Sequence, residues 1–265
     1  MVSPSVSRDE IVAVGHAELT DVVVRTYNSD VYLEDCLDSI LRYVPVNRLI
    51  VVDRHSSDRT VEIAVAHNAE VIFDEGDLSS ATSIGISSAR TRLILFVDSD
   101  VVIEREDFFW KALKLLGEKG TGAVVGMAVG HRFLYGLPLG LTLFRRQTVS
   151  GVVFPAGLQG RETYFIQQEL RKSGLSARYV LDAMKHYGAY RSQPNWPEWQ
   201  GSQVRIATGG SFTELMRSFI VVLLMHMNSG KAKNVLYTPI FCMKLVRGYI
   251  SPDRWGRMDR KKAAY

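Results

Sequence analysis

Leu93-Ile94-Leu95-Phe96-Val97-Asp98-Ser99-Asp100 is the stretch whose reading decides the fold. Five apolar residues, branched or aromatic, stop at two carboxylates two positions apart. A continuous apolar run of this kind fits a strand buried on both faces, as in a parallel sheet covered by helices. In open sheets of that class, ligands bind just beyond the carboxyl ends of the strands. Asp98 and Asp100 therefore stand where a ligand is expected. Two hard oxygen donors so placed suit Mn²⁺ or Mg²⁺, with phosphate oxygens and water completing the shell. On its own, the Asp-X-Asp also fits solvated aspartates in a turn.

The chain upstream repeats the pattern. Val22-Val23-Val24 reads as a first buried strand ending at Arg25-Thr26-Tyr27-Asn28. A helix follows, capped by Ser29 or Asp30, with apolar positions at Leu33, Leu37, Ile40, Leu41 and Val44, and Pro45 ends it. Leu49 to Val52 is a second strand closing on Asp53, and Ser57 or Asp58 caps a helix to about His67. Val71-Ile72-Phe73 is a third strand, and Ser79 or Ser80 opens a helix to about Arg90. Strand and helix alternate four times, which argues for a parallel sheet with helices on its faces. No Gly-X-Gly-X-X-Gly follows the first strand and no P-loop is present, so the dinucleotide and P-loop versions of the fold are disfavoured.

Val22 to Asn28, Val51 to Thr60 and Leu95 to Asp100, in that order and each at a strand end, resemble three successive signatures of family 2 glycosyltransferases. These are nucleotide-sugar-dependent, mostly inverting enzymes of the GT-A fold. The resemblance is clear over residues 21–105, fainter to about 190, and absent beyond 200. It implies that Thr26, Tyr27 and Asn28 cradle the nucleoside of a UDP- or GDP-linked sugar. By the same resemblance, Asp53 accepts a hydrogen bond from the base, an acid after a buried strand having no capping job there. Asp98, Ser99 and Asp100 correspond to the element that meets the metal-bound diphosphate, with Asp98 and Asp100 as ligands.

Further along, Gly160-Arg161-Glu162-Thr163 opens a helix and resembles the family's Gly-Glu-Asp element. Glu162 is thereby implied as the base that takes the acceptor's proton; a helix-start acid favoured by the helix dipole is the structural alternative. His186, closing Val180-Leu181-Asp182-Ala183-Met184-Lys185, matches a histidine that ligates metal in some relatives. The chain also departs from the pattern. Arg54 and His55 follow Asp53 where a second acid and a small residue are usual, and Arg161 stands where an acid is usual. Thr82-Ser83 stands in place of an Arg-Asn pair, so a phosphate-facing charge is either missing or supplied elsewhere, by Arg54, Arg90 or Arg92.

The middle of the chain is read as a helix over 104–118, with Phe108, Phe109, Leu113, Leu115 and Leu116 inward, then a strand over 123–129. Residues 131–150 belong to the acceptor side in this fold. Phe154-Pro155-Ala156-Gly157 reads as a turn, and residues 193–203, rich in Pro and Trp, as a hinge. Beyond it, 212–227 and 235–250 are two apolar helices that Pro239 and Pro252 would break or kink.

The fold class expected is α/β. A GT-A domain would span 1–200 (nucleotide half 21–105, acceptor half 106–200), with a basic, apolar helical extension over 201–265. The net charge of +4 hides an asymmetry: from residue 201 onward eleven basic residues face three acids, while the remainder carries 21 basic against 25 acidic. A basic tail favours an anionic partner, and with its apolar helices it suits peripheral contact with a membrane and a lipid-linked or glycan acceptor. Nucleic acid is the poorer partner, because Asp53, Asp98 and Asp100 would repel phosphates without a metal. Sugar-nucleotide nucleotidyltransferase is the enzymatic rival, but that class opens with a Gly-rich, Arg-containing loop that Thr26-Tyr27-Asn28 is not. A catalytically inactive relative that binds a membrane surface or nucleic acid is the other. Cys36 and Cys242 lie too far apart for a ligand-spaced pair. No signal-peptide pattern or bilayer-length apolar run occurs, so a cytoplasmic protein touching the membrane's inner face is expected.

Overall fold

The structure is a computed structural model that describes residues 19–131, 136–155, 158, 160–188, 195–228 and 231–255. Strand β1 (Thr20–Thr26) leads through helix α1 (Asp30–Tyr43) to β2 (Val46–Asp53), and α2 (Thr60–Ala66) leads to β3 (Glu70–Phe73). Helix α3 (Leu78–Ser88) precedes β4 (Leu93–Asp98) and the short β5 (Val101–Ile103). Helix α4 (Phe108–Gly117), β6 (Thr121–Ala128), β7 (Leu141–Arg145), α5 (Arg146–Val149), α6 (Glu162–Lys172) and β8 (Ser176–His186) complete the α/β body. Four helices follow: α7 (Trp196–Thr208), α8 (Phe212–Asn228), α9 (Ala232–Ile250) and α10 (Pro252–Trp255).

The eight strands form one mixed sheet in the order β3-β2-β1-β4-β7-β6-β8-β5. β1, β2, β3 and β4 run parallel, and β7 then pairs antiparallel with both β4 and β6. Alternation along the strands fills both faces. Val22, Val24, Leu95 and Val97 pack with Leu33 and Leu37 of α1 and Phe108 and Phe109 of α4. Val23, Ile50, Val52 and Phe96 pack with Ala81 and Ile86 of α3 on the other face. A sheet covered on both sides explains why its central strands read as unbroken apolar runs.

Several expectations are corrected. Val101–Ile103 extends as a strand, so the helix read from Glu104 begins only at Phe108, with Leu113 and Leu115 half-buried. Leu41 lies on the outer side of α1, 46% exposed. Asp77, not Ser79 or Ser80, caps α3, accepting from both their backbone N–H groups at 3.0 Å. From Trp196 onward the Pro- and Trp-rich hinge is helix α7, with Pro197 in its first turn, where a missing N–H costs nothing. Helix α9 continues through Pro239. Residues 132–135, 156, 157, 193 and 194, which carry parts of the acceptor-region, turn and hinge readings, lie outside the described residues.

Helices α7 and α9 cross at glycines. A Cβ on Gly248 would sit 1.7 Å from the Glu198 carbonyl oxygen, and one on Gly201 1.9 Å from that of Leu245. The far half of the α8–α9 pair is another matter: Ile220, Met227, Leu236 and Met243 are each more than half exposed. No helix among the described residues is long and apolar enough to cross a membrane.

Candidate active site

The candidate nucleoside, metal and base residues sit at the carboxyl edge of the parallel strands. The loops after β1 and β2 are laced together by side chains. Asp53 is fully buried; its Oδ1 accepts from Thr26 Oγ1 at 2.7 Å and Ser56 Oγ at 2.6 Å, and its Oδ2 from Ser56 N at 2.8 Å. Asp53 caps no helix, but it has a structural job besides any ligand contact, tying the loop after β2 to the end of β1. Asn28, in the left-handed region at φ 49°, donates its backbone N–H to Ser56 Oγ at 2.8 Å. Its Oδ1 accepts from Ser57 N at 2.9 Å. Tyr27 lies beneath Arg54, whose guanidinium carbon is 5.8 Å from the ring centroid. Asp58 does not occupy the cap position of α2, which is Arg59 without a side-chain cap bond; it stands one residue earlier, accepting from Thr60 N at 3.0 Å and from Asp30 N at 3.2 Å at the start of α1. Ser57 is occupied with Asn28 instead.

A narrow cleft runs beside these loops to the start of α3, lined by Arg25, Thr26, Arg54, Asp74 and Asp77 among others. Burial raises the Asp77 carboxyl above its ordinary pKa, against the opposing pull of the Ser80 and Ser79 N–H groups.

The strand-end carboxylates face a partner that arrives from the far side of the sheet. β5 pairs antiparallel with the end of β8, setting Val101 opposite His186. That register brings His186 Nε2 to 3.2 Å from Asp100 Oδ1. β8 can serve β6 and β5 in turn because it bulges: its register against β6 shifts between Gly126 and Ala128, and Asp182 in the bulge takes φ 51°. Asp98, Asp100 and His186 each present one ligand atom, all within 4.8 Å of one another. Two carboxylates and one imidazole make a donor set that fits Mn²⁺ or Mg²⁺. Ser99 turns the other way, its Oγ donating to Ser29 Oγ at 2.9 Å and tying the turn to the start of α1. Beneath the turn, burial and then Asp98 and Asp100 push the Cys36 thiol well above its ordinary pKa, in keeping with an inert cysteine.

Arg25 is the functional candidate that sequence reasoning passed over. Its Nη2 donates to Asp98 Oδ1 at 2.7 Å, and its Nη1 to Glu162 Oε1 and Thr82 Oγ1, each at 3.0 Å. Burial works against the guanidinium's charge, but Asp98 and Glu162 outweigh it and hold its pKa above the ordinary value. Glu162, at the first residue of α6, is 5% exposed and reaches into this cluster. Neither of two suggested substitutes for a charge at Thr82 is near. Arg92 precedes β4 and joins Arg145 and Arg146 around a cavity at the opposite end of that strand. Arg90 lies in the same turn before β4, its backbone N–H given to Asp21. Arg54 lines the cleft. An arginine directly after the apolar Val22-Val23-Val24 run was the available signal, since a buried charge demands partners.

Residues 21–136 match the family model described as Glycosyl transferase family 2. Among curated proteins, "Glycosyltransferase GlyG" of Streptococcus pneumoniae is 33% identical over 118 residues, 42% of this chain and 39% of that protein. The 4,4'-diaponeurosporenoate glycosyltransferase of Staphylococcus aureus is 28% identical over 204 residues, 67% of this chain and 52% of that protein. The chain thus spans about half the length, or less, of these relatives. Among solved structures, glucosyl-3-phosphoglycerate synthase of Mycobacterium tuberculosis, in complex with Mn²⁺, UDP-glucose and phosphoglyceric acid, superposes with a TM-score of 0.60. It is 22% identical, and the match covers 76% of this chain and 81% of that one. The same enzyme has also been solved with Mg²⁺ and UDP. Residues 21–136 are thus similar to glycosyltransferase family 2 domains, and the mixed sheet and its order, with the superposition, show a fold of the GT-A type.

Proposed function

We propose that this chain transfers a sugar from a nucleoside diphosphate donor, UDP- or GDP-linked, to an acceptor hydroxyl or a lipid phosphate, with inversion at the anomeric carbon. The observation that carries the reading is convergence. β1, β2, β4, the turn after it, β8 and α6 deliver Arg25, Asp53, Asp98, Asp100, His186 and Glu162 to one sheet edge, the edge where open sheets of this kind bind ligands. Asp53 has three acceptor contacts taken up, and a carboxylate offers about four lone-pair sites, so one is left for the N–H of a base. Thr26, Tyr27 and Asn28 form the nucleoside loop, and Ser99 holds the turn on which Asp98 and Asp100 stand. A divalent cation held by Asp98, Asp100 and His186 supplies, when bound, positive charge against the departing diphosphate.

Glu162 is the proposed base. The acceptor oxygen forms its bond to the anomeric carbon while the bond to the diphosphate breaks, the electron pair leaves with the nucleotide, and the hydroxyl proton passes to the Glu162 carboxylate. An acceptor that is already an ionised phosphate gives up no proton, and Glu162 then orients neighbouring groups such as Arg25. The reading divides the chain into a catalytic unit to about residue 200 and a helical extension. From residue 215 to 252 the extension has no acid but holds Arg217, Lys231, Lys233, Lys244 and Arg247 beside its exposed apolar side chains. That combination supports peripheral contact with an anionic membrane surface, and with it a lipid-linked acceptor.

Release of nucleotide from a panel of UDP- and GDP-sugars, with and without Mn²⁺, tests the proposal. One donor turned over only with metal, at a rate that Glu162→Gln lowers about a hundredfold or more, is the expected result. Donor turnover that Glu162→Gln leaves intact would remove the base assignment.

A further inference from the structure

Arg25 is the one cationic side chain of β1 and lies buried at its carboxyl end. It is 8% exposed, its guanidinium carbon lies 5.9 Å from the Phe96 ring centroid, and one fork of nitrogens joins β4 (Asp98), α6 (Glu162) and α3 (Thr82). Its Nε is buried without a hydrogen-bond partner. A purely structural strut at this depth is poorly served by such an arrangement, because buried ion pairs are often replaced by apolar packing at no loss and unmatched donors cost stability.

We infer that Arg25 is a positioning residue: one guanidinium sets the metal-facing carboxylate Asp98 and the proposed base Glu162 in fixed relation, and tunes the charge that the cation and the diphosphate meet. This deepens the transferase reading and rests on it. The formal charges favour the idea. Asp98, Asp100 and Glu162 carry three negative charges, Arg25 returns one, and the remaining two are what a divalent cation cancels. Without Arg25 the site is more negative, so a bare cation binds more tightly while a diphosphate is repelled. Thr82 is the point on α3 already in contact with the guanidinium, so an arginine placed there is the natural donor of the same group from another element.

Opposite shifts in two affinities are a signature that mere loss of folding does not produce. Mn²⁺ binding is read by electron paramagnetic resonance and binding of UDP and of GDP in saturating Mn²⁺ by calorimetry, on wild type, Arg25→Met, Arg25→Lys and Arg25→Met/Thr82→Arg, each with its thermal midpoint; the variants are compared on whichever of the two nucleotides the wild type binds. Arg25→Met should bind Mn²⁺ roughly tenfold more tightly, the scale of one unit charge at about 5 Å through a water-like dielectric. It should bind that nucleotide more weakly, and Thr82→Arg should return both values toward wild type. Arg25→Lys, which keeps the charge but lacks the planar fork that reaches Asp98 and Glu162 from separate nitrogens, should leave Mn²⁺ affinity near wild type and weaken nucleotide binding; it carries the test if Arg25→Met does not fold. Parallel weakening of both ligands, no change in either, or opposite shifts that Thr82→Arg fails to reverse would overturn the inference. Wild type that binds Mn²⁺ but no UDP or GDP would instead remove the transferase reading, with the Mn²⁺ comparison still reporting on Arg25.

Discussion

Asp21 and Arg25 sit four residues apart on one strand, both buried and charged, at opposite ends of the sheet. Asp21 accepts from the backbone N–H groups of Arg90 and Thr91 and from Asn47, and so pins the turn before β4 to β1. Burial alone would raise its pKa, but those donors, Arg90 first, bring it below the ordinary 3.8. A carboxylate with a lowered folded-state pKa contributes stability that is fully present above the unfolded value and fades as pH falls through the folded one. Asp21→Asn should accordingly cost about 1–3 kcal/mol at neutral pH, read by urea denaturation, with the gap to wild type closing below about pH 3.8. A gap unchanged down to pH 3 would mean that shape rather than charge matters there. At this scale the sequence was informative about acids and poor on their partners. Asp98 and Asp100 were legible because an apolar strand ended on them. The pairing of Arg25 with Asp98 and Glu162 spans 73 and 137 residues, and no local pattern encodes it.

Elements were most legible where a single period governed them. β1, β2 and β4 are buried on both faces and announce themselves as apolar runs. β7 was missed because it lies between β4 and β6 in space yet follows β6 in sequence, in a stretch mixing Gly, Leu and Arg. Helix α7 was missed because Pro and Trp read as breakers, although Pro197 lies in its first turn and Trp199 is buried. The same helix makes the tightest helix contact in the extension. Gly248→Ala would drive a methyl to 1.7 Å from the Glu198 carbonyl oxygen, so α7 and α9 would have to part. A loss of about 1–3 kcal/mol, seen as a lower thermal midpoint, is expected. Full stability in that variant would contradict the close crossing.

The whole molecule is polarised. The mildly acidic residues before 201 bear the candidate site, and the basic extension exposes an apolar pair of helices with no acid between residues 215 and 252. Flotation with vesicles checks what that polarity is for. Wild type should rise with vesicles rich in anionic lipid, be released by salt, and stay down with neutral ones; Lys231→Glu/Lys233→Glu should weaken the association. Equal recovery on neutral and anionic vesicles would assign the exposed face to another partner. The central claim, a metal-dependent nucleotide site on Asp98, Asp100 and His186, is reached most directly by calorimetry of UDP, GDP, dTDP and CDP with and without Mn²⁺, on wild type and Asp100→Ala. Binding of one nucleotide only when Mn²⁺ is present, and its loss in Asp100→Ala, is the expected result. Wild type that binds none of the four with Mn²⁺ present would contradict it.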